Sequence, residues 1–79
     1  MSVCLKLSPT LQKYVAGYDE RTGLIVEHAA GRKIRELIEE LCIPSEEVSS
    51  IIVNYRPSRA SYVVNEGDLI SLHRVLGGG

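Results

Sequence analysis

Three glycines, Gly77, Gly78 and Gly79, close the sequence, and the chemistry they could support belongs to a main-chain carboxylate rather than to a side chain. Glycine adds no apolar area and loses the most backbone entropy when fixed, so folding gives no reason for a run of three beyond a strand. A peptide without side chains can thread a narrow channel and present an unhindered terminal carboxyl to another protein's active site. The competing reading is an inert end. Other reactive groups are few. Cys4 and Cys42 lack the CxxC spacing of zinc or redox sites, and their apolar neighbours predict small buried or half-buried thiols. A sulfur-relaying thiol, or a metal site with His28 or His73, is the alternative at these positions. No serine-nucleophile motif or phosphate-binding glycine loop is present, so neither a catalytic constellation of this chain's own side chains nor a metal site is expected.

The remaining residues must therefore supply a body that presents the end of the chain. Seventy-nine residues make one small domain with a thin core. Hydrophobic residues at 44% and charged residues at 24% are ordinary globular values and argue against a disordered segment. Nine basic residues against ten acidic ones leave a net charge of −1, which gives no reason to expect a nucleic-acid or membrane-surface partner. The first residues do not resemble a signal peptide and no stretch is long enough to span a bilayer, so a cytoplasmic protein is expected.

Val3, Leu5 and Leu7 alternate with Cys4 and Lys6, a strand of period two over 2–7. Ser8, Pro9 and Thr10 stop it and open a short helical turn carrying Leu11, Tyr14 and Val15, with Ser8 or Thr10 as its cap. A polar stretch from Gly17 to Gly23 leads to a second strand, Leu24–His28, with Leu24, Val26 and His28 on one face; the two strands are close enough to pair as a hairpin. Ile34, Leu37, Ile38 and Leu41 lie at i, i+3, i+4 and i+7, the apolar stripe of one main helix, and Arg35 and Glu39 are spaced as an ion pair on its outer side. Pro44 stops it. The apolar block in 48–54 reads as a central strand, Tyr55–Arg59 as a turn or loop, and 61–64 as a short extended piece. Asn65, Glu66, Gly67 and Asp68 form a turn in which Asp68 bonds nearby backbone amides. A last strand follows, with Ile70 and Leu72 inward and Ser71 and His73 outward. Tyr55 and Tyr62 are expected to be partly buried with their hydroxyls at the surface, and Arg56, Arg59 and Arg74 to be solvated. One striped helix over a four- or five-stranded mixed sheet is a two-layer α+β domain.

The order of these elements resembles the β-grasp fold of the ubiquitin-like sulfur carriers, the family of the molybdopterin synthase small subunit and the thiamine sulfur carrier. Gly31, Arg32, Lys33, Ile34 through Ile43 and Pro44 are similar to the family's glycine-led helix and Ile-Pro turn. Ile52, Val53, Asn54 are similar to its central strand end, and Glu66, Gly67, Asp68 through Leu72 with the terminal glycines to its turn, last strand and diglycine. Lys33 departs from the threonine that commonly caps the helix, so the cap must come from elsewhere. His73, Arg74, Val75, Leu76 is closer to the run before the diglycine of ubiquitin itself.

The resemblance implies a domain over 1–76 and a glycine tail over 77–79. It implies that Gly79, or Gly78 after trimming, is the reacting terminus, with Gly77, Leu76, Val75, Arg74 and His73 contacting partners. No cofactor would be bound by this chain. An adenylating enzyme would use ATP to activate the Gly79 carboxylate, a persulfide-bearing protein would supply sulfur, and a synthase subunit would accept it from the thiocarboxylate. The molybdopterin type is favoured over the thiamine type. A modifier joined through Gly79 to lysines, and a non-catalytic interaction domain, are the other readings.

Overall fold

The structure, a computed structural model, describes residues 2–74. Five strands form one mixed sheet: β1 (Ser2–Leu7), β2 (Leu24–Glu27), β3 (Ser50–Val53), β4 (Arg56–Ser58) and β5 (Leu69–His73). Two helices, α1 (Pro9–Gln12) and α2 (Ile34–Glu40), and a 3-10 turn at Ser45–Glu47 complete the described elements. The strand order is β2-β1-β5-β3-β4. All neighbours are antiparallel except β1 and β5, which run parallel with Cys4 opposite Leu69 and Leu7 opposite Leu72.

Alternation in β1 and β5 sorts the two faces. Val3, Leu5, Leu7, Ile70 and Leu72 point into the core, where Ile34, Leu37 and Ile38 of α2 close it. The stripe on α2 is the reason this face is dry, since three of its seven residues are buried. The core is aliphatic, with Tyr14, Tyr18 and Tyr62 packed against its margin.

The missing threonine cap of α2 has a structural answer. Lys33 occupies the cap position without a side-chain bond, and the first free amides of the helix are taken by the loop that follows β4. Ile34 N donates to Tyr62 O at 3.1 Å and Arg35 N to Ala60 O at 3.0 Å, while Glu36 Oε1 accepts the Lys33 amide at 2.7 Å. At the other end Cys42 takes a φ of 61°, Cys42 N donates to Glu39 O and Ile43 N to Ile38 O, so a Schellman turn stops the helix ahead of Pro44.

Several expectations are corrected here. The ion pair at α2 joins Glu40 to Arg32, which precedes the helix, and not Arg35 to Glu39. His28 does not share the inner face of β2: its φ of 58° ends the strand at Glu27 and leaves the ring exposed. β3 is an inner strand, paired with β5 and β4, but the middle of the sheet belongs to β5, because the parallel β1–β5 pairing inserts the last strand between the first and third. Residues 56–58 form an edge strand rather than a loop, and Pro57 is tolerated because an edge strand leaves half of its backbone groups unpaired. Tyr55 is 86% exposed, since Asn54 and Tyr55 both take positive φ in the two-residue turn between β3 and β4 and point the ring to solvent.

Candidate functional site

The point of departure of the terminal segment is the end of β5. His73 is the last residue of that strand, half-buried on the face opposite Leu72, and lies across from Ser50. Its carbonyl accepts the Ser49 amide at 2.9 Å. Arg74 follows, and it is not a solvated charge. Its amide donates to Ser8 Oγ at 3.3 Å, and its guanidinium donates through Nη1 to Glu47 Oε1 at 2.7 Å. The same Glu47 oxygen accepts the Tyr14 hydroxyl at 3.2 Å. Burial, and then the bond to Glu47, push the Tyr14 phenol above its ordinary range. Lys13 Nζ lies 5.3 Å from the centre of the Tyr14 ring, within the range of a cation–π contact.

Local sequence builds each part of this root. Pro9 at the start of α1 turns the chain at Ser8, whose side chain is free of capping and meets both Thr10 Oγ1 and the Arg74 amide. Leu11, fully buried, anchors α1, and Tyr14, three residues on, reaches Glu47. Glu47 ends the 3-10 turn that Pro44 introduces. The sequence places His73 and Arg74 at a contact patch, and the structure brings Arg74 together with Tyr14 and Glu47. Neither of those two was singled out. The available signal was thin: an acid beside a turn and a tyrosine on a helical stripe, 33 residues apart. Val75, Leu76, Gly77, Gly78 and Gly79 lie outside the described residues.

A second polar cluster lies at the opposite end of β5. Asp68 is 7% exposed, and its carboxylate accepts from Asn54 Nδ2 at 2.9 Å, the Tyr62 hydroxyl at 2.9 Å and the Asn65 amide at 2.8 Å. Burial pushes this carboxyl up, but the three hydrogen bonds outweigh it and hold it below its ordinary value. The bond to Asp68 raises the Tyr62 phenol. Asn54 also bonds Leu69 through both its amide and its side-chain carbonyl. The expected turn-forming role of Asp68 is thus present and extends further, joining the β3–β4 turn, the loop before β5 and β5 itself. The Asn54 and the Glu66-Gly67-Asp68 motif are thereby accounted for by folding.

The thiols divide. Cys4 is half-buried, with Sγ 3.5 Å from Thr22 O, as expected; Cys42 is exposed, because the left-handed turn at the end of α2 swings it outward. Arg56 and Arg59 are exposed. Among the described residues no group of three or more His, Cys, Asp or Glu is placed to hold a metal ion, and no helix is long and apolar enough to cross a membrane.

Known proteins give three findings. The family described as Mut7-C ubiquitin matches residues 1–75. The fold is similar to that of SAMP1 from Haloferax volcanii, with a TM-score of 0.71, 14% identity and complete coverage of both chains. It is similar also to Urm1 from Trypanosoma brucei, with a TM-score of 0.70 and 16% identity over 99% of this chain and 95% of that one. No curated protein sequence matches. The β-grasp expectation is borne out by these folds, down to the mixed sheet and the single main helix.

Proposed function

Given that this chain belongs to the Mut7-C ubiquitin family, we propose that it is a ubiquitin-like sulfur carrier, a protein cosubstrate whose Gly79 carboxylate is activated by a partner enzyme. The observation that carries the reading is the way the last strand ends. β5 is bonded on both sides, its exit is pinned at Arg74 by Ser8 and Glu47, and the sequence then runs through Val75 and Leu76 into three glycines. The folded body thus holds the exit of its last strand, just ahead of a side-chain-free stretch of sequence, at one defined place, as delivery into a partner's channel requires.

The chemistry needs the partner. A carboxylate is a poor electrophile until an adenylating enzyme transfers AMP to it from ATP, with release of pyrophosphate. A cysteine persulfide then attacks the acyl carbon and AMP leaves. Cleavage of the resulting acyl disulfide by a second thiol yields the thiocarboxylate and a protein disulfide. The sulfur passes to an acceptor synthase, of the molybdopterin type in the first reading and of the thiamine type in the second. Gly78 and Gly79 keep the acyl carbon uncrowded throughout. The run His73, Arg74, Val75, Leu76 ahead of the glycines favours one further reading, attachment of the same activated carboxylate to lysines of other proteins.

Intact-mass spectrometry after incubation with the cognate adenylating enzyme, ATP and a sulfur donor tests this. One oxygen is replaced by sulfur in a carrier, and the same spectrum shows whether Gly79 or Gly78 is terminal. Gly78→Ala and Gly79→Ala are expected to impair the conversion without changing the melting temperature. Equal conversion in both variants, or an unchanged mass for the wild type, rejects the carrier; lysine-linked adducts in cell extract would instead support the modifier.

A further inference from the structure

We propose that Glu47 is a positioning residue for the terminal segment: oriented by the Tyr14 hydroxyl, it holds the Arg74 guanidinium and so fixes the direction in which the chain leaves β5. Its functional consequence rests on the carrier reading above.

The grounds are geometric. A strand that runs past its last paired residue ordinarily frays from that residue on. Here the residue after the strand is held on two sides, by Ser8 at the junction of β1 and α1 and by Glu47 at the end of the 3-10 turn. Glu47 is itself restrained. Its side chain is only 20% exposed, and one oxygen accepts both the Tyr14 hydroxyl and the Arg74 guanidinium. A third group that orients the carboxylate removes much of the side-chain entropy that weakens ordinary surface pairs. The pair therefore acts on the Arg74 side chain while Ser8 acts on its backbone.

Direction matters because of length. Five residues follow Arg74, and fully extended they reach roughly 17 Å. In any chain, each rotatable link between a fixed point and a reacting group widens the volume that the group searches, and the first link has the longest lever. Fixing it concentrates the carboxyl where a partner docked on the body receives it, which raises the effective concentration of the reacting group. Once the segment is seated in the partner, the clamp has no further work to do. Its loss thus falls on KM for this protein and not on kcat. It also gives Arg74 a task inside this chain rather than on a partner.

Steady-state adenylation by the cognate enzyme decides the matter, with Glu47→Gln, Arg74→Gln and the exchanged pair Glu47→Arg with Arg74→Glu. Glu47→Gln is expected to raise KM about fivefold, the size that a partly exposed charge-assisted bond controls, with kcat unchanged. The exchanged pair is expected to recover most of that loss, which a direct contact of Arg74 with the partner would not allow, and the split between KM and kcat separates the clamp from a role in stability alone. An unchanged KM in Glu47→Gln, or a defect in Arg74→Gln that the exchanged pair does not relieve, overturns the proposal and makes Arg74 a partner contact. If the wild type is not adenylated, the carrier reading fails, and the clamp is judged by backbone 15N relaxation. The order parameter of Arg74 must then fall from a rigid value towards about 0.6 in Glu47→Gln; an unchanged value overturns it.

Discussion

Replacing Asp68 tests whether a single buried carboxylate holds three segments together. In Asp68→Ala three donors lose their acceptor at once: Asn54 Nδ2, the Tyr62 hydroxyl and the Asn65 amide. A hydrogen bond to a charged group contributes about 1.5–3 kcal/mol, but the three share one acceptor and two of the donors are side chains that can turn towards water, so they do not add. A net loss of about 3 kcal/mol is expected. For a domain of this size that lowers the melting temperature by roughly 12–24 °C. Asp68→Asn is milder, at about 1.5–2 kcal/mol, because the new amide can keep one acceptor but must set its NH2 against a donor. The pH dependence gives the sharper check. The folded-state carboxyl lies below its ordinary value, so the unfolded chain binds the proton more readily. The stability from Asp68 is thus complete above its unfolded pKa of about 4 and disappears as pH falls through the folded value. Urea midpoints measured across this range should show a wild-type advantage over Asp68→Asn at pH 7 that narrows in acid. A gap that stays constant with pH, or an Asn variant as stable as the wild type at pH 7, would refute this account.

Two more outcomes follow from local geometry. Gly23 has a φ of 75°, and a methyl group there would meet Leu5 O and Lys6 Cδ at 3.0 Å, whereas Gly17, at a φ of 76°, has nothing within 4 Å. Thermal melts should show Gly23→Ala losing about 2–3 kcal/mol and Gly17→Ala only about 1, and equal losses would rule out the close approach of Gly23 to β1. At the alkaline end, Tyr62 is held protonated by Asp68 and Tyr14 by its burial and by Glu47. Both raised values mean that the stability from these phenols is complete below about pH 10 and is lost as pH rises through the folded-state values. Chemical denaturation from pH 8 upward should show a shallower decline in Tyr62→Phe, and an unaltered decline would remove Tyr62 from the cluster.

What could be read from the sequence tracks how local the determining physics is. The alternation in β1, the stripe on α2 and the turn before β5 are each set within a few residues, and all three are found where the pattern puts them. The β-grasp assignment rested on motifs at the right places along the chain, and two of them are now explained by one cluster, since Asn54 and Asp68 bond each other. What escaped depends on distant partners. β4 was hidden by Pro57, because its status as an edge strand exists only once β3 is in place. β3 is apolar and an inner strand, yet the middle of the sheet goes to β5 through a pairing between the two ends of the chain. The Tyr14–Glu47–Arg74 cluster needs three segments folded together before any of its members stands out.

The parallel pairing of β1 with β5 also has a mechanical meaning. A pull applied at Arg74 along the axis of β5 meets rungs to β1 and to β3 that lie across that direction. The load is then shared among all of these rungs in shear rather than taken by one at a time, as it would be if the strand were peeled from an edge. Resistance to traction along β5 thus comes from its placement in the middle of the sheet: a force applied at its exit must break rungs on both sides together before the body unfolds.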